Sequence, residues 1–137
     1  EVRVHPQVCP EFVPLVEAGE LDSARTRAAV REYVGPLLAA GVDELVLGCT
    51  HYPFLLPLIA EVAGPGVEII DPAPAVARQV GRVLAQRGWL AEGEAAQHRF
   101  CTTGEPARFE RALRELLGMT EGAQRGVWAE GRLDIPR

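Results

Sequence analysis

Short apolar runs alternating with amphipathic stretches predict an α/β fold, a parallel sheet with helices on its faces in αβα layers. Three observations carry that prediction. Residues 44–47, 67–70 and 98–102 read as strands, and helical apolar spacing fills the chain between them. Gly and Pro punctuate the boundaries, at Gly41, Gly64-Pro65-Gly66, Gly88 and Glu105-Pro106. The strand at 44–47 runs straight into Gly48-Cys49-Thr50-His51 and then a helix, the layout in which functional groups gather beyond the carboxyl ends of strands.

In chain order, residues 1–5 alternate weakly and are expected to form a strand ended by Pro6 and Pro10. Residues 11–17 put Phe12, Leu15 and Val16 on one face but are too short and Pro-interrupted to specify a helix alone. Asp22 or Ser23 can cap a helix running to about Ala40. Its expected apolar stripe is Leu21, Ala24, Ala28, Val34, Leu37 and Leu38, while Arg25, Arg27, Arg31 and Glu32 read as solvated surface. Gly35-Pro36 predicts a kink or two pieces, because an interior Pro removes a helix hydrogen bond.

The helix after the motif is expected over 54–63, with Pro57 in its first turn, where N–H groups lack intrahelical partners. Asp71-Pro72-Ala73-Pro74 leads into a helix over 75–87 whose predicted core face is Val76, Val80, Val83 and Leu84. Residues 92–97 read as a polar connection. A helix from Glu105-Pro106 to about Leu117 turns Phe109, Leu113, Leu116 and Leu117 inward. The Gly-rich remainder holds one apolar island, Val127-Trp128.

Composition narrows the chemistry. The 137 residues, 47% hydrophobic and 24% charged, suit one modest domain with its own core. No apolar run approaches the roughly 20 residues of a membrane helix, and nothing at the start resembles a signal peptide. The only Met is Met119, so the chain reads as cut from a longer one. A net charge of −5 argues against a nucleic-acid partner. All 14 basic residues are Arg; the absence of Lys excludes a pyridoxal Schiff base and a P-loop lysine. Ser23, the one serine, sits beside a helix start, which argues against a serine nucleophile. Cys9, Cys49 and Cys101 lack zinc or redox spacing and read as free thiols in a reducing cytoplasm.

Cys49 leads the candidates for chemistry. A thiol becomes a base or nucleophile where its surroundings favour the thiolate, and a helix start and an imidazole are both close by. The bland alternative is a small hydrophobe packed under a strand end. Thr50 either binds a carboxylate or caps the helix. His51 either exchanges protons or is an ordinary loop histidine, and its contact with Cys49 depends on the turn. Gly48 lets the backbone turn sharply or approach a ligand closely. Glu17 and Asp71 could face the same crevice, although isolated carboxylates are more often surface or capping groups. His5, His98, Cys9 and Cys101 are expected to be structural.

Four stretches carry a resemblance. Cys9-Pro10-Glu11-Phe12-Val13-Pro14-Leu15-Val16-Glu17 and Leu45-Val46-Leu47-Gly48-Cys49-Thr50-His51-Tyr52-Pro53 resemble two signature stretches of the glutamate racemase family, in the aspartate/glutamate racemase superfamily. Ile70-Asp71-Pro72-Ala73 and Thr102-Thr103-Gly104-Glu105-Pro106 resemble its later segments. The second stretch is the most specific. The resemblance implies a cofactor-independent racemase that uses two cysteines on opposite faces of glutamate, its product D-glutamate entering peptidoglycan. It implies Cys49 as the base acting on the L isomer, His51 and Glu17 as assisting groups, and Thr50 and Gly48 with Cys49 at the substrate.

The family's Asp-Ser and Cys-Asn-Thr segments, the latter holding the other catalytic cysteine, are absent, and this chain contains no Asn. By resemblance, residues 1–71 are the later part of the second α/β domain of a two-domain fold whose N-terminal portion is missing. Residues 72–137 are then a crossover helix and the returning part of the first domain. The missing portion is the expected partner, glutamate the expected small-molecule ligand, and the fragment alone is expected to be inactive. Uncovered apolar faces invite self-association, leaving a homo-oligomer open. Rival readings are a racemase of aspartate or a related acid, a non-catalytic carboxylate-binding product, and a thiol hydrolase using Cys49 and His51. A zinc site at Cys49 and His51 would need two further ligands that no spacing identifies.

Overall fold

Ser23 fixes the start of a 16-residue helix: its Oγ accepts the Thr26 N–H at 3.2 Å, satisfying one of the donors that a helix start leaves unpaired. In the computed structural model, which describes residues 2–93 and 97–135, that helix is α2, Ala24–Ala39. The chain divides into two units, Glu1–Ala91 and Glu92–Arg137. The first contains α1 (Phe12–Glu17), α2, β1 (Glu44–Val46), a 3-10 helix (Tyr52–Leu55), α3 (Leu56–Ala63), β2 (Glu68–Ile70) and α4 (Ala73–Gln86). The second contains β3 (Phe100–Thr102), α5 (Pro106–Leu117), β4 (Ala123–Arg125), β5 (Val127–Ala129) and β6 (Arg132–Asp134).

β1 and β2 pair in parallel, with Leu45 opposite Ile69, and α3 makes the crossover between them. In the second unit β3 and β4 also pair in parallel, with Cys101 opposite Gln124, and α5 lies between them in sequence. Parallel strands need such a crossover, so the two strand–helix–strand units establish the α/β class.

The core of the first unit is built from Phe12, Leu15 and Val16 of α1, Val30 and Val34 of α2, Leu45 and Leu47 at β1, and Leu55, Leu58 and Ile59 after the motif. Phe12 is its hub. The ring meets Tyr33 edge-on at 5.4 Å and Tyr52 at 5.1 Å, a geometry that aligns a ring's positive edge with its neighbour's negative face. These contacts tie the six-residue α1, too short to persist alone, to α2 and to the 3-10 helix.

Several sequence expectations are corrected. Residues 2–9 form no strand, helix or turn, because no neighbour supplies a ladder; Glu1 lies outside the described residues. The buried face of α2 is Thr26, Ala29, Val30, Tyr33 and Val34, while Ala24 and Ala28 are exposed. Hydrophobicity alone overlooks Thr26, whose hydroxyl donates to the Glu20 carbonyl, and Tyr33, whose ring packs on Phe12. α2 is one helix through Pro36 rather than two pieces, since Pro36 forfeits only its own bond and lies in the last turns. The helix after the motif begins as a 3-10 turn at Tyr52.

The face of α4 predicted to be core is open: the helix has no buried residue, and Val76 and Val80 are 59% and 52% exposed. In the second unit Leu113 is buried and Phe100 meets Phe109 edge-on at 6.3 Å. The tail holds strands that its composition hides. β5 and β6 form a hairpin whose two-residue turn, Glu130-Gly131, has φ of 49° and 73°, both positive as a type I′ turn requires. Residues 94–96 of the expected polar connection lie outside the described residues. No helix among the described residues is long and apolar enough to cross a membrane.

Candidate active site

The motif is shaped by the way β1 ends. Leu47 keeps one bond to the sheet, its N–H donating to the Ile70 carbonyl at 2.9 Å, and its side chain is buried. Gly48 is exposed, so the chain leaves the core there. The Cys49 carbonyl then accepts the Tyr52 N–H at 3.2 Å, and the His51 carbonyl accepts the Phe54 N–H at 3.1 Å. These three-residue bonds wind the chain tightly. In an extended strand, residues two apart would be separated by about 7 Å along the chain; here Cys49 Sγ and His51 Nδ1 are 3.8 Å apart.

Glu17 reaches the same imidazole from the other side. It is the last residue of α1, and the Phe12–Tyr52 contact holds α1 against the 3-10 helix that follows His51. Glu17 Oε1 lies 3.7 Å from His51 Nε2, too long for a hydrogen bond but within ion-pair reach once the imidazole is protonated. The side chains of His51 and Glu17 are 32% and 51% exposed, so solvent screens that pair. Thiol, imidazole and carboxylate thus form a row, Cys49–His51–Glu17, drawn from two segments 32 residues or more apart in sequence. With Nδ1 as acceptor the imidazole can take the thiol proton. The imidazole thus lies between the thiol sulfur on one side and a carboxylate on the other.

Thr50 and Gly48 flank the row and are exposed. Gly48 does not adopt positive φ, and a Cβ built on it would meet nothing within 4 Å. A sharp turn is therefore not what its glycine serves. Asp71 is not brought into the row: its Oδ1 accepts the Ala73 N–H at 2.9 Å, a local turn at the start of α4. His5 is exposed, Cys9 is buried, and His98 and Cys101 belong to the second unit, His98 beside the Phe100 ring at 6.0 Å. Among the described residues no group of three His, Cys, Asp or Glu is placed to hold a metal ion.

Tyr52 has no role in the sequence-based reading. Burial raises its hydroxyl pKa above the ordinary 10.0, and charge on Cys9 and Cys49 adds to the shift. Burial likewise raises the Cys9 thiol above 9.0, partly offset by its hydrogen bond with Tyr52. The place of Tyr52 directly after His51 is the one signal of this in the sequence. A groove of about 970 Å³ lies alongside; Gly48 and Tyr52 line it, whereas Cys49, His51 and Glu17 do not.

An α/β chain with this row at a strand end belongs to the Asp/Glu/Hydantoin racemase family, whose model matches residues 2–80. The more particular likeness is to glutamate racemases. That of Pseudomonas paraeruginosa is 46% identical over 135 residues, 98% of this chain and 48% of the relative. That of Herpetosiphon aurantiacus is 53% identical over 118 residues, covering 85% and 46%. Among solved structures, glutamate racemase isoform RacE1 from Bacillus anthracis superposes with a TM-score of 0.83 at 34% identity, covering 90% of this chain and 47% of that one. Thermus thermophilus glutamate racemase, in complex with beta-chloro-D-alanine, gives 0.76 at 35% identity, covering 87% and 46%. The chain spans about half the length of the curated relatives it matches.

Proposed function

We propose that this chain supplies one wall of a glutamate racemase site, interconverting L- and D-glutamate without a cofactor. The observation that carries the reading is the row itself, Cys49 Sγ 3.8 Å from His51 Nδ1 and Glu17 3.7 Å beyond Nε2. In the L-to-D direction the Cys49 thiolate takes the α-proton and becomes a thiol. A second thiol, held by the half of the enzyme that this chain does not span, gives its proton to the opposite face of the carbanion. The reverse direction exchanges those roles. One side chain cannot serve both faces of a fixed carbon, so two acid–base groups are required.

His51 holds or takes the proton of Cys49, and Glu17 orients the imidazole. Thr50, with the open backbone at Gly48, binds a substrate carboxylate. The product, D-glutamate, serves peptidoglycan synthesis in the cytoplasm. Since the family also embraces aspartate and hydantoin racemases by name, an aspartate-type substrate is the alternative reading.

Incubation of the purified chain with L-glutamate, followed by circular dichroism, is expected to show no D-glutamate. Co-expression with the unmatched half of the Pseudomonas paraeruginosa glutamate racemase is expected to restore turnover, and a parallel arm with L-aspartate reads the alternative. Racemisation by the chain alone would refute the two-base division. A folded, co-purifying pair with no turnover on either acid would refute the assignment.

A further inference from the structure

Glu17 reaches His51 only while two short segments, distant in sequence, stay side by side. The helix that carries Glu17 has little of its own to hold it there. α1 is six residues long, includes Pro14 and has no side-chain cap at its start, so it depends on tertiary contacts. Some of these fix it to α2. Arg25 donates to Glu11 Oε2 from Nε at 3.1 Å and from Nη2 at 2.9 Å, and the Tyr33 ring meets Phe12 edge-on. Neither contact touches the turn that bears Cys49 and His51.

Tyr52 makes that link. Its N–H donates to the Cys49 carbonyl at 3.2 Å, closing the turn. Its ring stands at 84° to that of Phe12, with centroids 5.1 Å apart. Its hydroxyl hydrogen-bonds Cys9, and the Cys9 carbonyl in turn accepts the Phe12 N–H at 3.2 Å. One side chain thus grips the head of α1 at two points, Cys9 and Phe12, while Glu17 stands at its last position.

We infer that Tyr52 is a positioning residue: by tying the head of α1 to the Cys49–His51 turn, it keeps the Glu17 carboxylate opposite His51 Nε2. The consequence is chemical. A neutral imidazole carries one N–H, and the partner of one nitrogen decides which nitrogen is left as acceptor. With the carboxylate opposite Nε2, the proton belongs there, and Nδ1 faces the Cys49 thiol as acceptor. If α1 swings away, the proton can sit on Nδ1, where the imidazole cannot take the thiol proton. The placement belongs to this chain as it stands; only its effect on turnover rests on the racemase reading.

The test is ¹⁵N NMR of the histidine ring nitrogens in the purified chain, with the His51 signals assigned by His51→Gln. The parent is expected to hold its neutral-ring proton on Nε2. Tyr52→Phe keeps the ring and removes the hydroxyl, and is expected to raise the Nδ1–H population about two- to fivefold, the worth of a solvated pair. Tyr33→Phe removes a hydroxyl from the α2 side of the same Phe12 ring and is expected to leave the His51 signals unchanged. In the reconstituted enzyme Tyr52→Phe is expected to lower kcat by the same factor with KM unaltered. That loss should vanish in a Glu17→Gln background, because both changes act through one pair. A parent proton on Nδ1, or unchanged His51 signals in Tyr52→Phe, would overturn the assignment. So would an equal shift in Tyr33→Phe, which would make the effect one of general packing, or an unchanged kcat in an active Tyr52→Phe enzyme. Should the reconstituted parent itself lack turnover, the racemase reading fails and the ring-nitrogen signals still decide the role of Tyr52.

Discussion

His51 Nδ1 lies 3.8 Å from Cys49 Sγ across a turn closed by the Cys49 carbonyl and the Tyr52 N–H. In the reconstituted enzyme, Cys49→Ala is expected to remove racemisation while leaving L-glutamate binding within a few-fold of the parent. His51→Gln is expected to lower kcat by about 10²- to 10⁴-fold, the usual worth of a positioned acid–base group. Circular dichroism with separate calorimetric titration distinguishes turnover from binding. Equal loss of both in Cys49→Ala would make the thiol a binding group only.

Glu17→Gln is expected to have a smaller effect. The Glu17–His51 pair spans 3.7 Å and both side chains are well solvated, so its contribution is about 1 kcal/mol or less, up to about fivefold in rate. Added salt should shrink the difference between variant and parent. A hundredfold, salt-insensitive loss would show that the carboxylate touches substrate directly.

Alkaline pH is expected to destabilise the first unit at one place. Burial raises the pKa of Cys9 above 9.0 and of Tyr33 and Tyr52 above 10.0; negative charge from Glu11, Glu32 and Cys9 adds at Tyr33, and from Cys9 and Cys49 at Tyr52. The fold favours each protonated, neutral form, so this stability is complete below about pH 9. It is lost as pH rises, first through Cys9 and then through the tyrosines. Thermal melts between pH 7 and 11 should show a falling Tm that Tyr52→Phe makes shallower. An unchanged slope in Tyr52→Phe would remove this tyrosine from the cause.

Thr26 is fully buried and donates to the Glu20 carbonyl, beside the Ser23 cap. Thr26→Val keeps the shape but leaves that carbonyl without the hydroxyl, costing about 1–3 kcal/mol. Ser23→Ala loses the cap for about 1 kcal/mol. Urea denaturation of the two variants should rank Thr26→Val as the more damaging.

α4 carries its apolar face in the open, with Val76 and Val80 more than half exposed. Val76→Glu with Val80→Glu is expected to reduce self-association with little change in Tm, because neither residue is in the core. Analytical ultracentrifugation at rising concentration checks the first effect and a thermal melt the second. A large fall in Tm would show that this face is packed in solution.

Much of this was legible from local chemistry. The strands at β1 and β2, the Ser23 cap and the α5 boundaries follow from apolar runs, capping oxygens and Gly or Pro stops, each acting within a few residues. The hairpin was not legible, because Glu130 has neither the Asn nor the Asp that usually marks a type I′ turn. The α2 core face was also missed, since Thr26 and Tyr33 are buried by partners outside the helix, Glu20 and Phe12, rather than by their own hydrophobicity.

The same division runs through the candidate site. A thiol, a hydroxyl and an imidazole following a buried strand are legible in the residues themselves, and the family resemblance singles out Glu17. That the far nitrogen of His51 faces Glu17 is set by the packing of α1 against the 3-10 helix. That depends on Phe12 wedging between Tyr33 and Tyr52, so that α1 ends beside the motif. Ring packing across distant segments sets that distance, and no local propensity encodes it.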